Sequence, residues 1–375
     1  MKPVLVVNAG SSSLKYQLIE PGSPPSAKGL IEEIGSAQAR LRHDGEDRGT
    51  RPAEDHEAAL AWMLEALGDT LDDLLAVGHR VVHGGTRFTE PTVVDRDVEA
   101  AIEQLSPLAP LHNPANLAGI RALTTLLPTT PQVAVFDTAF HATIPAVAAT
   151  YALPRELAEA HGVRRYGFHG TSCQYVTGQV DAENLIICHL GNGASITAVE
   201  NNRSVDTSMG LSPLEGLVMG TRSGDLDPAV PFHLMRAGLS AAEVEDILTK
   251  RSGLRGLAGA SDMREVRERQ DEPHARLALD VYAYRIRKYI GAYLAAVPGM
   301  QALVFTAGVG ENDHRLRQEI CAPLAHLGIA LNADANEAAV GRSEPATIGT
   351  GPIEVLVVPT NEEAEIAAQA AAIVG

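Results

Sequence analysis

The sequence is poor in several things at once. Only 3 of its 375 residues are cysteine (Cys173, Cys188 and Cys321), and no two of them form a C-x-x-C pair. So sparse and odd a count supplies neither a disulfide framework nor a cysteine zinc site, and it suits a reducing cytosol. Aromatic residues make up 4% of the chain, with a single tryptophan, so aliphatic side chains and alanine must do most of the core packing. No apolar run approaches the roughly 20 residues of a membrane-spanning helix. Val4–Val7 is too short for the core of a signal peptide, so the expectation is a cytoplasmic protein with no membrane partner. Bases are scarce too: 30 Lys+Arg face 47 Asp+Glu, a formal charge of −17, and lysine occurs five times, at 2, 15, 28, 250 and 288. That balance argues against a nucleic-acid partner, because phosphate backbones are held by Lys/Arg patches. It leaves room for a small polyanion, which needs only a local concentration of positive groups.

What is present is an ordinary globular composition, 45% hydrophobic and 21% charged, at a length that favours two domains over one. Val4-Leu-Val-Val7 reads as a buried strand, broken by the turn Asn8–Ser13 and followed by the alternating strand Leu14–Ile19. Residues 21–52 read as weak strands with a variable surface. His56–Leu67 has helical spacing. Val133–Phe136 is another buried strand, closed by Asp137. The plan of strand, Gly/Ser/Asn turn and strand recurs at 185–199, which suggests two related halves. Residues 276–297 form a long amphipathic helix. Strands follow at 302–305 and 355–358, and a helix starts at Glu362 with acids in its first turn, where the helix dipole favours them. Alternating strands and helices make the class α/β.

Three turns could cradle phosphates through backbone N–H groups: Asn8–Lys15, His189–Ser195 and Gly308–Asn312. None is a Walker motif, and each has a plainer reading as a hairpin or a strand-to-helix connection. Arg80 sits in an apolar, Gly-terminated segment. Arg222 sits in the loop Thr221-Arg-Ser-Gly-Asp-Leu-Asp-Pro228, where Asp225 or Asp227 could neutralise it. His112 and His169 each follow a large apolar residue and could be ligands or ordinary core and surface histidines. Asp137 ends a buried strand, where α/β sheets face their ligands, although a turn cap would look the same. Asn361-Glu-Glu363 offers hard oxygens to Mg²⁺, or else is a normal helix start.

The order of these windows is more specific than any one of them. Asn8–Lys15, His79-Arg-Val-Val-His-Gly-Gly85, Pro110-Leu-His-Asn-Pro114, Phe136-Asp-Thr-Ala-Phe-His141, Phe168-His-Gly-Thr-Ser172, His189-Leu-Gly-Asn-Gly193, Asp206-Thr-Ser-Met-Gly210, Met219-Gly-Thr-Arg-Ser-Gly-Asp225, Phe305-Thr-Ala-Gly-Val-Gly-Glu-Asn312 and Asn361-Glu-Glu363 resemble, in sequence order, the acetate kinase family from residue 4 to about 370. The resemblance implies two RNase H-like lobes of the actin-like ATPase fold with an active-site cleft between them. The first lobe would comprise 1–141 plus 363–375, and the second 142–362. It also implies a homodimer formed through the second lobe, and reversible, Mg²⁺-dependent transfer (with Mn²⁺ as the alternative ion) of the ATP γ-phosphoryl group to acetate, giving acetyl phosphate and ADP.

Residue by residue, the resemblance assigns Mg²⁺ to Asn8 and Glu362. Ser11, Ser13 and Lys15 fall near the phosphates. His189, Leu190, Gly191, Asn192 and Gly193, with Gly308, Val309, Gly310, Glu311 and Asn312, would hold the nucleotide, and Asp262, Met263 and Arg264 would lie near the adenosine. Arg80 would bind the acetate carboxylate, with Val82, Leu111, Phe168 and Pro213 around its methyl group. Asp137, His169, Arg222 and His112 are the implied catalytic set. The chemistry is consistent with this: a carboxylate is ionised at pH 7 and needs no general base, so catalysis reduces to positioning and charge stabilisation. Asp137 is accordingly expected to organise Mg²⁺, water or Arg222 rather than accept a proton.

The segment between Lys15 and Arg80 is short for the family, so trimmed outer strands are expected. Cys173 stands where the family has His and is expected to be structural. Propionate and butyrate kinases share the fold, and Val82 favours acetate. A pyrophosphate-dependent relative is disfavoured by the intact nucleotide turns. A non-catalytic ATP-binding scaffold would not need Arg80, Arg222 and His169 together.

Overall fold

The computed structural model describes residues 2–71 and 73–375. Met1 and Asp72, both within the expected first lobe, lie outside the described residues. The chain divides into two compact units. The first runs from the N-terminus to Ala142 and adds Gly170–Tyr175 and Asn361–Gly375; the second is Thr143–His169 with Val176–Thr360.

The first unit is built on an eight-stranded sheet. Strands β1 (Val4–Ala9), β2 (Ser13–Ile19), β3 (Ala27–Glu32), β4 (Ser36–His43) and β5 (Glu46–Ala53) form an antiparallel run, so residues 21–52 do supply regular strands. On the other side of β1 lie β6 (Ala76–Val81) and β8 (Gln132–Phe136), both parallel to it, with the short β7 (Thr92–Val93) antiparallel at the edge. The uniformly apolar Val4–Val7 is explained by what it touches. Val4 and Val6 pack with Ile366, Ala367 and Ala370 of the C-terminal helix Glu362–Val374. Leu5 and Val7 pack on the opposite face with Leu60, Met63 and Leu123. A strand covered on both faces loses the polar alternation of a half-exposed one.

The second unit repeats the plan with six strands. β9 (Leu185–Leu190), β10 (Ala194–Glu200) and β11 (Arg203–Thr207) are antiparallel neighbours. β12 (Ala302–Thr306) and β14 (Glu354–Val357) run parallel to β9, and β13 (Ala346–Thr347) is the antiparallel edge. The order β11-β10-β9-β12-β14 matches β3-β2-β1-β6-β8, so the two halves share one topology. The long helix spans Pro273–Ala296, close to the 276–297 expected. No described helix is long and apolar enough to cross a membrane.

The units differ from expectation at three places: Ala142, Gly170–Tyr175 and Asn361 with Glu362 all fall in the first unit, although the sequence reading put them in the second. For Gly170–Tyr175 the reason is local: Gly170 N donates to Asp137 O at 2.9 Å, and a Cβ on Gly170 would lie 2.1 Å from that oxygen. Only glycine allows this close approach.

Candidate functional site

In parallel strands, side chains near the carboxyl ends collect along one sheet edge. Val7 is paired with His79, and Arg80 with Val135, so β1, β6 and β8 bring Asn8, Arg80 and Asp137 together. Arg80 donates from Nε to Asp137 Oδ1 (3.1 Å) and from Nη2 to Oδ2 (2.5 Å), a bidentate pair. Its Nη1 lies 3.5 Å from Asn8 Oδ1, and its Nε 3.7 Å from Glu362 Oε2. Thr171 Oγ1 also donates to Asp137 Oδ1, at 3.1 Å. Burial raises the Glu362 carboxyl above the usual range, the Arg80 charge works against that, and neighbouring Asp137 adds to it. Burial opposes the Arg80 charge, but Asp137 and Glu362 outweigh it and hold the guanidinium above its ordinary value. Three oxygen-bearing side chains thus converge on one guanidinium.

The neighbouring groups are more ordinary. Lys15 Nζ is paired with Glu363 Oε1 at 2.5 Å. The turn before it is closed by Gly10 N donating to Ser13 O at 2.8 Å, with Ser11 exposed and Ser13 half-buried. Asn361 is the N-cap of the C-terminal helix, accepting from Ala364 N at 3.0 Å, and Glu362 and Glu363 fill its first turn. Val82 is buried, whereas His112 is exposed and Leu111 is 61% exposed.

In the second unit, β9 and β12 are paired in parallel up to His189 and Thr306. The turn Gly191–Gly193 and the helix Ala307–Asn312 therefore leave the same edge. His189 stacks on His169, with ring centroids 4.1 Å apart and planes at 17°. His169 shares a 3.0 Å hydrogen bond from Nδ1 with Ser195 Oγ, and its backbone is held at φ 58°. A non-glycine residue in that region marks a position fixed by its surroundings. Gly193 completes the arrangement: a Cβ there would lie 2.7 Å from Arg222 Nη2 and 3.5 Å from His169 Nε2. Arg222 and His169 therefore flank one point left open by a missing side chain.

Neither expected acid neutralises Arg222. Asp225 accepts from Gly216 N and Tyr289 OH, and Asp227 from Ala229 N. Arg222 Nη1 donates to Pro213 O at 2.7 Å, and among the described residues no carboxylate is ion-paired with it. Burial alone lowers its pKa. Phe168 and Pro213 belong to this unit and Val82 and Leu111 to the first, so the four expected methyl-pocket residues are divided between units.

A cavity of about 980 Å³ opens beside these turns. Of the expected nucleotide residues, Gly191, Asn192, Asp262, Met263, Arg264, Gly308, Val309 and Asn312 line it; His189, Leu190, Gly193, Gly310 and Glu311 do not. Asp262 caps the helix Met263–Glu268 and is paired with Arg264, whose side chain is largely exposed at the cavity. Glu311 is used internally: Oε1 accepts from Ala307 N (2.8 Å) and Thr360 N (3.0 Å).

Three residues with clear positioning roles were missed by the sequence reading. Asn116 donates from Nδ2 to Ala9 O (2.7 Å) and accepts at Oδ1 from Val82 N (3.1 Å), tying the first turn to the Arg80 segment. Asn113, one helical turn earlier, exchanges two bonds with the backbone of His83. The spacing of the two asparagines in His112-Asn-Pro-Ala-Asn116 was the available signal. Arg317, fully buried, donates from Nη1 to Gly310 O (2.7 Å) and Glu311 O (2.8 Å), and from Nε and Nη2 to Asn336. Burial pushes its pKa down to about 10.

The sequence matches the profile of the Acetokinase family over residues 3–368. It is 55% identical to an acetate kinase of Leifsonia xyli, over 99% of this chain and 98% of that one. Its structure superposes on that of Porphyromonas gingivalis acetate kinase with a TM-score of 0.94, at 42% identity over 100% of both chains. It superposes on a propionate kinase from Francisella tularensis with a TM-score of 0.93, at 39% identity over 98% of this chain and 99% of that one.

Proposed function

Given that this chain belongs to the acetokinase family, with an actin-like ATPase fold and the activity of a kinase that transfers phosphate to acetate, we propose that the transfer is direct and in line, and that the residues described above divide it as follows. The observation carrying this reading is the open point at Gly193, flanked by His169 and by Arg222, which has no ion-paired acid among the described residues. It directly follows two residues that line the 980 Å³ cavity.

ATP occupies that cavity in the second unit, with the Gly191–Gly193 turn and the Ala307–Asn312 helix along its phosphates. Arg222 and His169 meet the equatorial oxygens of the transferring phosphoryl group. An arginine serving a metaphosphate-like transition state is worth on the order of 10³-fold or more in rate. Arg80 grips the acetate carboxylate. Its planar fork can hold two oxygens in parallel, as its present bond to Asp137 already illustrates. Asp137 then acts on the orientation of Arg80, since a carboxylate nucleophile brings no proton to remove.

The donor set around Arg80 is hard oxygen, which fits Mg²⁺. No group of three or more His, Cys, Asp or Glu side chains gathers into a metal cage among the described residues, so Asn8 and Glu362 would hold the ion with phosphate oxygens and water completing its shell. When bound, the ion would offset charge on the phosphates. Lys15, now paired with Glu363, supplies a further positive charge on the same side of the first unit.

Val82 favours acetate over longer acids, because an extra methylene in a small apolar pocket is worth only about 1–3 kcal/mol. Propionate is then a poorer substrate. The decisive assay traps acyl phosphate as hydroxamate with acetate, propionate and butyrate, each with ATP or pyrophosphate. Acetate with ATP should give the highest kcat/KM. Absence of acyl phosphate with every pair would sink the reading, and a propionate preference would change the substrate.

We also propose a homodimer through the second unit. The helix Ala229–Arg236 has no buried residue yet carries Val230 and Phe232, the latter 57% exposed. Leu277 and Tyr284 of the long helix are also exposed. Exposed apolar side chains on both helices support this reading, since a contiguous apolar patch marks an interface. Sedimentation equilibrium should return twice the chain mass, and Phe232→Glu should shift it toward the monomer.

A further inference from the structure

We propose that Asp225 is a positioning residue for Arg222, stapling the loop that carries it and mooring that loop to the long helix. The inference rests on the role given to Arg222 above and goes beyond it.

The loop from Gly216 to Asp225 has no helix or strand of its own; its tip is tied to its neighbours by Gly220 N donating to Asn192 O (2.9 Å), Ser223 N to Leu248 O (3.0 Å) and Leu254 N to Met219 O (2.9 Å). Gly216 and Gly224 sit at φ +105° and +65°, where side chains are rarely tolerated. A Cβ on Gly224 would lie 2.3 Å from Leu217 O, and one on Gly220 would lie 1.9 Å from Asn192 Oδ1. A chain this rich in glycine samples many conformations unless it is pinned.

Asp225 supplies the pins that close the loop's two ends. Its N donates to Gly216 O (2.9 Å), and its Oδ1 accepts from Gly216 N (2.8 Å), so the two ends of the loop are clasped by a reciprocal pair of bonds. Its Oδ2 accepts from Tyr289 OH (2.7 Å), and its O accepts from Arg285 Nη1 (3.0 Å). Arg285 and Tyr289 stand one turn apart on the helix Pro273–Ala296. Within the clasp, Met219 N donates to Arg222 O at 3.2 Å, which folds the loop tip, and the guanidinium is steadied by Pro213 O. The acid nearest to Arg222 in sequence is thus committed to holding the loop, which leaves the guanidinium's charge for a ligand. A group that acts only in the transition state is sensitive to its position, and a displacement of about 1 Å can cost about 10²-fold in rate.

The test measures acyl phosphate formation by Asp225→Ala, Asp225→Asn and Tyr289→Phe, and by Asp225→Ala and Tyr289→Phe combined with Arg222→Ala. Asp225→Ala should lower kcat by about 10- to 100-fold while both KM values stay within about threefold, because the interaction lost is one made in the transition state. Asp225→Asn retains an acceptor for Gly216 N and should recover most of the rate. Tyr289→Phe should lower kcat several-fold. In the Arg222→Ala background, Asp225→Ala should change kcat by less than about twofold, because the group it positions is gone. Asp225→Ala turnover within about twofold of the parent, or an equal fold-loss in both backgrounds, would overturn the inference. If Asp225→Ala does not fold, Tyr289→Phe decides by the same two criteria. Normal turnover in Arg222→Ala would instead overturn the role given to Arg222. That result is distinct from a crippled Arg222→Ala beside an unaffected Asp225→Ala, which sinks the staple alone.

Discussion

Arg80 and Arg222 carry the same side chain into opposite settings. Arg80 is held by Asp137 through two bonds and faces Glu362; Arg222 has the Pro213 carbonyl and no ion-paired acid among the described residues. The first setting suits a group that must present a fixed fork to a carboxylate. The second suits a charge kept for a phosphoryl group. Lysine can replace the charge of either but not the two parallel bonds. Arg80→Lys should therefore raise the acetate KM by about 10- to 100-fold, the worth of one or two charge-assisted bonds. Arg222→Lys should leave both KM values close to the parent and lower kcat on the order of 10³-fold. Initial rates over a grid of acetate and ATP concentrations separate the two. Gly193 tests the geometry without changing a charge. The Cβ of Gly193→Ala would sit 2.7 Å from Arg222 Nη2, so kcat should fall by at least about tenfold while the thermal midpoint moves little, because one methyl displaces a long side chain rather than backbone.

Strands placed these residues, and strands were what the sequence showed best. Val4–Val7, Leu185–Leu190 and Ala302–Phe305 are recognisable because each is covered on both faces, which leaves an unbroken apolar run. Their carboxyl ends then bring Asn8, Arg80 and Asp137 to one edge, and Gly191 and Gly308 to another. Short spacing revealed the turns. The spacing of Asn113 and Asn116 marked the pair but not their partners, because the Asn116 bond to Ala9 spans 107 residues and a contact of that range depends on strand order. Arg317 was hidden for a related reason: nothing in His314-Arg-Leu-Arg317 distinguishes a surface arginine from a buried one. Its donors hold the carbonyls of Gly310 and Glu311, in the helix whose Gly308, Val309 and Asn312 line the cavity. Arg317→Met keeps bulk but leaves those carbonyls and Asn336 without their donor. A loss of at least about 3 kcal/mol in stability is expected, since hydrogen bonds to a charged donor are worth about 1.5–3 kcal/mol each. The ATP KM should rise while the acetate KM holds. Urea denaturation with paired substrate titrations reads both, and an unchanged ATP KM would reduce Arg317 to a core residue.

The scarcity of bases bears on the whole molecule through pH. With a net charge of −17 and a sequence pI near 5.2, acidification toward pH 5 removes most of the self-repulsion and by itself should favour the compact state. Buried histidine pulls the other way. His79 lies in β6, almost wholly inaccessible, with Nε2 2.8 Å from Gln132 Oε1. Burial pushes its pKa down to about 4, and the bond to Gln132 offsets only part of that; His83 is likewise pushed down to about 4 by burial. Above about pH 6.5 both the folded and unfolded chains carry neutral imidazole, and nothing is lost. As pH falls below that value the unfolded chain takes up the proton first, so stability declines progressively until the folded pKa near 4 is passed. For His79 alone the linkage amounts to about 2 kcal/mol by pH 5 and about 3 kcal/mol in the limit. Surface repulsion among dispersed, solvated acids is screened within about 8–10 Å at ordinary ionic strength; Glu362, Asp206 and Glu365, whose carboxyls burial raises, act against the histidines as pH falls, so the histidine contribution is read from a variant rather than from the parent alone. Comparing His79→Gln with the parent removes the shared surface effect. The variant should be the less stable at pH 7, because a packed, hydrogen-bonded side chain has been replaced. That deficit should shrink by about 2 kcal/mol at pH 5, as measured by urea midpoints at the two pH values. A deficit that stays constant would mean that the folded protein accepts a proton at His79 as readily as the unfolded chain does.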